Sequence, residues 1–226
     1  MRLYQMQDSG NCYKVRLLAH LLNLPLELID IDILEGESRT EDFLAKNPNG
    51  RVPTLELDDG TFLSESDAIL VYLAENTSYW PTDRLARAQA LQWMFFEQYS
   101  HEPYIAVARF WKSISPVFPP EMQARYPEWE QRGNAALGVM ERHLAENNFF
   151  VDDRISVADI ALFAYTHVSH EGGFDLARYP NILSWIKRIE AIPGYIPMSA
   201  RPRSACWRYR AGTAKIVKKS NLGEMK

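Results

Sequence analysis

The sequence predicts a two-domain chain, an α/β domain ordered βαβ-α-ββα over residues 1–78 and an all-α domain over residues 85–200, joined by a linker at 79–84. Three observations carry this. Short apolar blocks alternate or recur at helical spacing up to the mid-seventies, an Asp59-Gly60 pair marks a hairpin, and the apolar patterns beyond Leu85 are helical.

The elements follow in order. "RLYQM" reads as a first strand. Val15, Leu18, Ala19 and Leu22 fall at i, i+3, i+4 and i+7, which predicts an amphipathic helix with Cys12 on the same stripe. "LELIDIDI" follows, where Ile29, Ile31 and Ile33 alternate with Asp30 and Asp32 as a half-buried strand, parallel to the first through the crossover. "TEDFLAKN" is a short helix stopped by Pro48, and "RVPTLELDDGTFLSE" gives two short strands. Pro53 lacks an N–H and so belongs on an edge or in a special turn. "SDAILVYLAEN" closes the unit as a helix, with Ser66 as its cap and Ile69, Leu70 and Leu73 as its apolar face.

"TSYWPTDRL" mixes turn formers and marks the boundary. From Leu85 to Trp111 the chain is helical with aromatic residues on several faces, and Pro103 should kink or split it. "SISPVFPPEMQARYP" is expected to be a loop, followed by a long helix through Leu137, Met140 and Leu144. Ser156 and Asp159 make a capping box with an Ile155–Ile160 staple, a structural device. Pro180 suits a first helical position ahead of the stripe Ile182, Trp185, Ile186 and Ile189.

Composition sets the outer limits. The 226 residues are 46% hydrophobic and 12% aromatic, ample for buried cores. No run of about 18 apolar residues occurs and the start lacks the layout of a secretion signal, so the cytoplasm is expected and no membrane partner. Cys12 and Cys206 lie far apart and supply neither a disulfide framework nor a metal cluster. The formal charge of −4 divides into +7 on Arg201–Lys226 and −11 on residues 1–200. An acidic body argues against a nucleic-acid partner, and the basic tail is expected to be loosely packed. His167 and His170, followed by Glu171, lack a third ligand and read as structural, so no metal is expected.

Chemistry concentrates at "DSGNCYKVR", Asp8–Arg16. Ser9 and Cys12 have the spacing of a Cys-x-x-Cys redox pair, with Ser first. Ser9 is then half of a redox site, a serine-based site or only a helix cap. Cys12, in phase with Val15, Ala19 and Leu22, is packing.

The order of elements, with "NPNGRVPTL" and "ESDAI", resembles the thioredoxin-like domain of the cytosolic glutathione transferases, whose all-helical domain carries the same capping box; the resemblance covers Met1 to about Met198. It implies a cis bond before Pro53, a Val52 backbone paired with the cysteinyl part of glutathione, and Glu65 and Ser66 holding the γ-glutamyl end. In serine-type classes a Ser just before the first helix steadies the glutathione thiolate, and Ser9 matches it. Each unit of thiol pKa lowered from ~8.5 needs about 1.4 kcal/mol of selective stabilisation, the size of a charge-assisted hydrogen bond. "Ser-Gly-Asn" equally resembles the nu-like bacterial members, glutathione-dependent disulfide reductases, so Asn11 is a candidate for the second or the main contact. Arg51, and Ser38 or Arg39, are candidates for the glycine carboxylate, with Gly50 standing where delta and theta members have His. The pocket between domains, with Tyr104, Phe110 and Trp111 and with Arg109 for anionic groups, would take a small hydrophobic electrophile. A homodimer is implied.

Three functions are consistent with these residues. The first is conjugation of glutathione to soft electrophiles. The second is glutathione-dependent reduction of disulfides or peroxides. The third, a binding or stress protein without turnover, is disfavoured by the intact set of Ser9, Asn11, Val52, Pro53, Glu65 and Ser66.

Overall fold

The computed structural model describes residues 1–201 and the backbone of 207–210. Strand β1 (Arg2–Gln5), helix α1 (Gly10–Leu21) and strand β2 (Leu26–Asp30) form the first unit, with β1 and β2 parallel and Leu3 opposite Leu28. A 3-10 turn at Glu37–Arg39 and the short α2 (Glu41–Leu44) follow, the latter capped by Thr40 Oγ1 accepting the Phe43 N–H at 3.3 Å. Strand β3 (Thr54–Glu56) adds antiparallel to β1, β4 (Phe62–Ser64) pairs antiparallel with β3, and α3 (Ser66–Ala74) completes the domain.

Two expectations need correction. The buried residues of β2 are Leu26 and Leu28, while Ile29, Ile31 and Ile33 are half-buried. The strand stops at Asp30 because the Asp32 carboxylate accepts the N–H groups of Leu34 (2.9 Å) and Glu35 (3.1 Å), a side-chain turn that diverts the chain. Ile33 thereby leaves the sheet and reaches the cavity described below. The basic tail also contributes structure: β5 (Trp207–Arg210) pairs parallel with β2, giving the order β4-β3-β1-β2-β5. The other residues expected to be loosely packed, 202–206 and 211–226, lie outside the described residues, as does Cys206.

The helical part begins with α4 (Arg84–Phe96), capped by Asp83. Pro103 divides the aromatic run as expected, since it offers no N–H to the preceding turn. The chain takes a π turn at Glu97–His101, continues as α5 (Glu102–Arg109) and ends in a second π turn at Phe110–Ile114. Within the segment read as a loop, Pro120–Gln123 forms α6. Then come α7 (Tyr126–Leu144), α8 (Val157–Thr166) and α9 (Pro180–Glu190). All of α8 is buried. Its N-terminus is closed by the capping box, and Asp159 also accepts the Phe150 N–H (3.1 Å) and the Trp185 Nε1–H (3.0 Å).

Helix α1 is where the two halves meet. Beyond its apolar stripe, Tyr13, Lys14, Arg16 and Leu17 are also fully buried, because α1 packs on α3 on one side and α8 on another. Tyr13 donates its O–H to Ile196 O at 2.6 Å, and Arg16 donates to Met198 O at 3.1 Å, so the end of the helical part is fastened to α1.

Candidate active site

Ser9 sits at the cap of α1, in extended backbone, and its Oγ accepts the Cys12 N–H at 3.3 Å. Accepting that bond leaves the hydroxyl proton as a donor. Cap and donor are therefore compatible roles for one side chain. Cys12 is fully buried, its Sγ accepts the Met6 N–H at 3.4 Å, and burial pushes its thiol pKa up. It is packing, as its helical phase requires.

Gly10 and Asn11 form the first turn of α1 against the second domain. A Cβ on Gly10 would lie 2.5 Å from Tyr165 Cε1, so only glycine admits this ring. Tyr165 Oη in turn accepts the Asn11 N–H at 3.3 Å. The Asn11 side chain is a bridge: Nδ2 donates to Glu102 Oε1 at 3.4 Å, and Oδ1 accepts from Ser66 Oγ at 3.3 Å.

Behind this bridge lies a buried charge cluster that the helical pattern of α1 did not reveal. Lys14 Nζ donates to Glu97 Oε2 (2.7 Å), Asp67 Oδ1 (3.1 Å) and Ser66 Oγ (3.3 Å), with Lys14 and Glu97 fully buried. Burial alone would lower the Lys14 pKa, but Asp67 and Glu97 outweigh it and the net direction is up. Burial pushes the Glu97 carboxyl above its usual range. Asp67 Oδ2 and Glu97 Oε1 are buried without a hydrogen-bond partner among the described residues.

The Val52–Pro53 peptide bond is cis, and no Val52 backbone group hydrogen-bonds another described residue. Glu65 rather than Ser66 occupies the cap position of α3, with φ +66° and ψ 114°. This left-handed entry turns the chain sharply into the helix and makes Ser66 its first residue. The Ser66 hydroxyl is then no cap, since it faces Lys14 and Asn11 instead.

A cavity of about 260 Å³ opens where the two domains meet. Met6, Asp8, Ser9, Ile33 and Arg51 line one side; Glu102, Ala106, Val107, Phe110, Trp111, Ile114 and Tyr165 line the other. Ser9, Arg51, Phe110 and Trp111 are thus brought together as read from sequence. Tyr104 is not: it borders a separate surface groove and its Oη accepts from Arg132 Nη1 at 3.3 Å. At about 100° per residue it stands some 200° from Glu102, on the opposite face of α5. Arg109 borders the cavity, but its guanidinium is engaged by Glu171 Oε2 (2.7 Å) and Asp8 O (2.6 Å). It clamps the loop before Ser9 instead of offering charge to a ligand. Arg39 is exposed and donates to Asn49 O at 3.0 Å, outside the cavity lining, and Ser38 is buried.

Glu102, Tyr165, Lys14, Asp67 and Glu97 are the members sequence reasoning missed. Pro103, which forces the π turn, is the one signal that pointed to Glu102. His167 stacks on Phe163 (centroids 4.4 Å apart) and its Nδ1 lies 2.7 Å from Phe163 O, and burial lowers its pKa to about 4. It serves packing. Among the described residues no three His, Cys, Asp or Glu side chains group as a metal site, and no helix is long and apolar enough to cross a membrane.

A thioredoxin-like sheet, a serine at the mouth of its first helix and an all-α second domain closing a cavity over it together define a glutathione-handling class. Family models agree along the chain: "Glutathione S-transferase, N-terminal domain" matches residues 3–80 and "Glutathione S-transferase, C-terminal domain" matches residues 90–193. The crystal structure of a glutathione S-transferase from Pseudomonas fluorescens is 52% identical, superposes with a TM-score of 0.85, and aligns over 87% of this chain and 98% of that one. A possible glutathione S-transferase from Rhodopseudomonas palustris is 50% identical, with a TM-score of 0.87 over 89% and 98%. The disulfide-bond oxidoreductase YfcG of Escherichia coli is 30% identical over 192 residues, covering 82% of this chain and 88% of the relative. The chain belongs to the glutathione S-transferase family, and its function is that of a glutathione-transferase-like enzyme.

Proposed function

We propose that the protein holds glutathione with its thiol at Ser9 and transfers the thiolate to an apolar electrophile in the interdomain cavity. The observation that carries this reading is the cavity itself, which joins Ser9 at the α1 N-terminus to the apolar wall of Ala106, Val107, Phe110, Trp111 and Ile114. A helix N-terminus and a hydroxyl donor both favour the thiolate over the thiol. The Val52 backbone would pair with the cysteinyl unit. The first turn of α3 would receive the γ-glutamyl carboxylate, with Glu65 and the unpartnered Asp67 Oδ2 taking its ammonium. Arg51, the cationic residue of the lining to which no carboxylate of the described residues is fixed, suits the glycine carboxylate better than Arg39.

A second reading, reduction of disulfides by glutathione, is favoured by Asn11 beside Ser9 and by the likeness to a disulfide-bond oxidoreductase. Turnover of an aryl halide and of a small disulfide, each with glutathione, by wild type, Ser9→Ala and Asn11→Ala separates them. The expected outcome is a loss of about 10-fold to 100-fold for Ser9→Ala, from one charge-assisted hydrogen bond of about 1.5–3 kcal/mol. Full activity of Ser9→Ala on both substrates rejects the assignment, and glutathione binding without turnover by wild type supports a binding protein.

The same reading places the protein in the cytoplasm as a homodimer. Leu91, Phe95 and Tyr99 on and beyond α4 are exposed (36%, 69% and 83%) and spaced four residues apart, and Tyr72 on α3 is 51% exposed. Sedimentation of wild type and of Phe95→Glu checks this: a wild-type monomer rejects it.

A further inference from the structure

We infer that Glu102 carries a proton for the reacting sulfur, protonating the thiolate expelled when bound glutathione attacks a disulfide; this rests on the reading that the glutathione thiol lies at Ser9. Of the two acids bordering the cavity, Asp8 is exposed, whereas Glu102 is half-buried and reaches inward. Its Oε1 accepts from Asn11 Nδ2 at 3.4 Å, on the first helical turn after Ser9. The π turn at Glu97–His101 produces this placement by advancing the helix before α5 starts, so that Glu102 shares a face with Ala106 and Arg109 toward the cavity.

The surroundings bear on how firmly Glu102 binds its proton. Lys14 and Arg51 face Glu102 with positive charge, Asp67 and Glu97 with negative charge, and the Tyr165 phenol lies beside it. Burial is the largest influence and raises the Glu102 pKa, with Lys14, the Asn11 hydrogen bond and Arg51 acting against it. A neutral carboxyl next to a thiolate donates a proton without repelling the charge; an ionised one would oppose thiolate formation.

The step balances without an added reagent. The glutathione thiolate forms a bond to the near sulfur of the disulfide, and the old S–S bond breaks with its electron pair on the far sulfur. The Glu102 carboxyl proton passes to that sulfur. A thiol leaves, a mixed glutathione disulfide remains, and the Glu102 carboxylate regains a proton from the thiol of the next glutathione. One thiol and one disulfide enter, and one of each departs. An aryl halide expels halide ion, which needs no proton, so this step offers it little.

The test is the dependence of kcat/KM on leaving-thiol pKa over a series of aryl disulfides, for wild type and Glu102→Gln, with an aryl halide alongside. The expected wild-type dependence is shallow. Glu102→Gln should make it steep, losing about 10²-fold on the most basic leaving thiol, the lower end of general-acid contributions. The ratio of disulfide to halide turnover should fall about 10-fold or more. An equal loss on both substrates with an unchanged slope overturns the inference and makes Glu102 a positioning residue acting through Asn11; full disulfide activity also overturns it. Should Glu102→Gln fail to fold, the wild-type slope decides, and a steep one overturns the inference. A wild type that conjugates the halide but not disulfides overturns the inference alone, whereas failure to bind glutathione overturns the underlying site.

Discussion

Two buried charges, Asp159 and Lys14, solve the same problem in opposite ways. Asp159 collects donors close by in sequence, the Ser156 N–H and O–H and the Phe150 N–H, with Trp185 Nε1 the one distant member. Lys14 collects acceptors from far along the chain, Ser66 and Asp67 on α3 and Glu97 after α4. The first arrangement can form as one helix end folds. The second exists only when the thioredoxin-like domain and the helical domain have met, beside the residues assigned to glutathione. A buried charge satisfied locally secures one element, and one satisfied at long range couples a site to the interface.

Lys14→Met is the largest expected break in that contrast. It leaves Glu97 fully buried and Asp67 largely so without their cation, and breaking a buried pair in this way costs about 3–5 kcal/mol. Urea unfolding measures the loss, and glutathione affinity should fall with it because Ser66 and Asp67 lose their anchor. Adding Glu97→Met should restore part of the stability, a coupling of about 0.5–3 kcal/mol. Single and double variants that simply add would show that the cluster is no unit.

Asp159→Asn is expected to cost somewhat less, about 2–4 kcal/mol, because the amide must turn its NH2 toward either the Ser156 donors or the Phe150 and Trp185 donors. Its effect should appear in unfolding and leave glutathione affinity near wild type. A large loss of affinity at undiminished stability would abolish the distinction between the two charges.

The same contrast explains what the sequence disclosed. The capping box, the Asp59-Gly60 hairpin, Pro53 and the Ser9 cap are short-range devices whose residue types declare their geometry, and each stands where it was read. Even the split at Pro103 was legible, since a missing N–H acts on its own turn. What was not legible depends on phase or on distant partners. Tyr104 was placed in the cavity because the run from Leu85 to Trp111 is aromatic on several faces, and only the two π turns decide which face looks inward. Arg109 looked available because Glu171 lies 62 residues away. Lys14 read as an ordinary polar position of an amphipathic helix, since nothing in its neighbours announces that α1 is covered on both sides. The pairing of β5 with β2 was equally hidden, because four residues in a basic tail carry little periodicity.

His101 joins the two regions and gives the smallest effect, readable as a slope. It is fully buried, its Nε2 lies 2.9 Å from Thr166 Oγ1 on α8, and Thr166 Oγ1 itself donates to Leu162 O at 2.7 Å. The hydroxyl proton is therefore committed, so the imidazole must donate from Nε2 and keep Nδ1 as an unprotonated acceptor. Burial first and the Lys14 charge second lower its pKa to about 3. An unfolded histidine takes its proton near pH ~6.5, so below that pH the unfolded chain binds a proton that the folded one refuses. The stability this position supplies is complete above pH ~6.5 and is lost as pH falls, by up to about 1.4 kcal/mol per pH unit. His101→Phe removes the titration while keeping the volume, and it should flatten the decline in unfolding free energy between pH 7 and 5 by about that slope. Because burial is the first cause and the Lys14 charge only the second, Lys14→Met should keep most of this slope between pH 7 and 5, and Asp159→Asn should not change the His101 contribution. Equal slopes for wild type and His101→Phe would mean that the histidine takes up its proton in the folded chain, with Thr166 or Lys14 displaced to admit it.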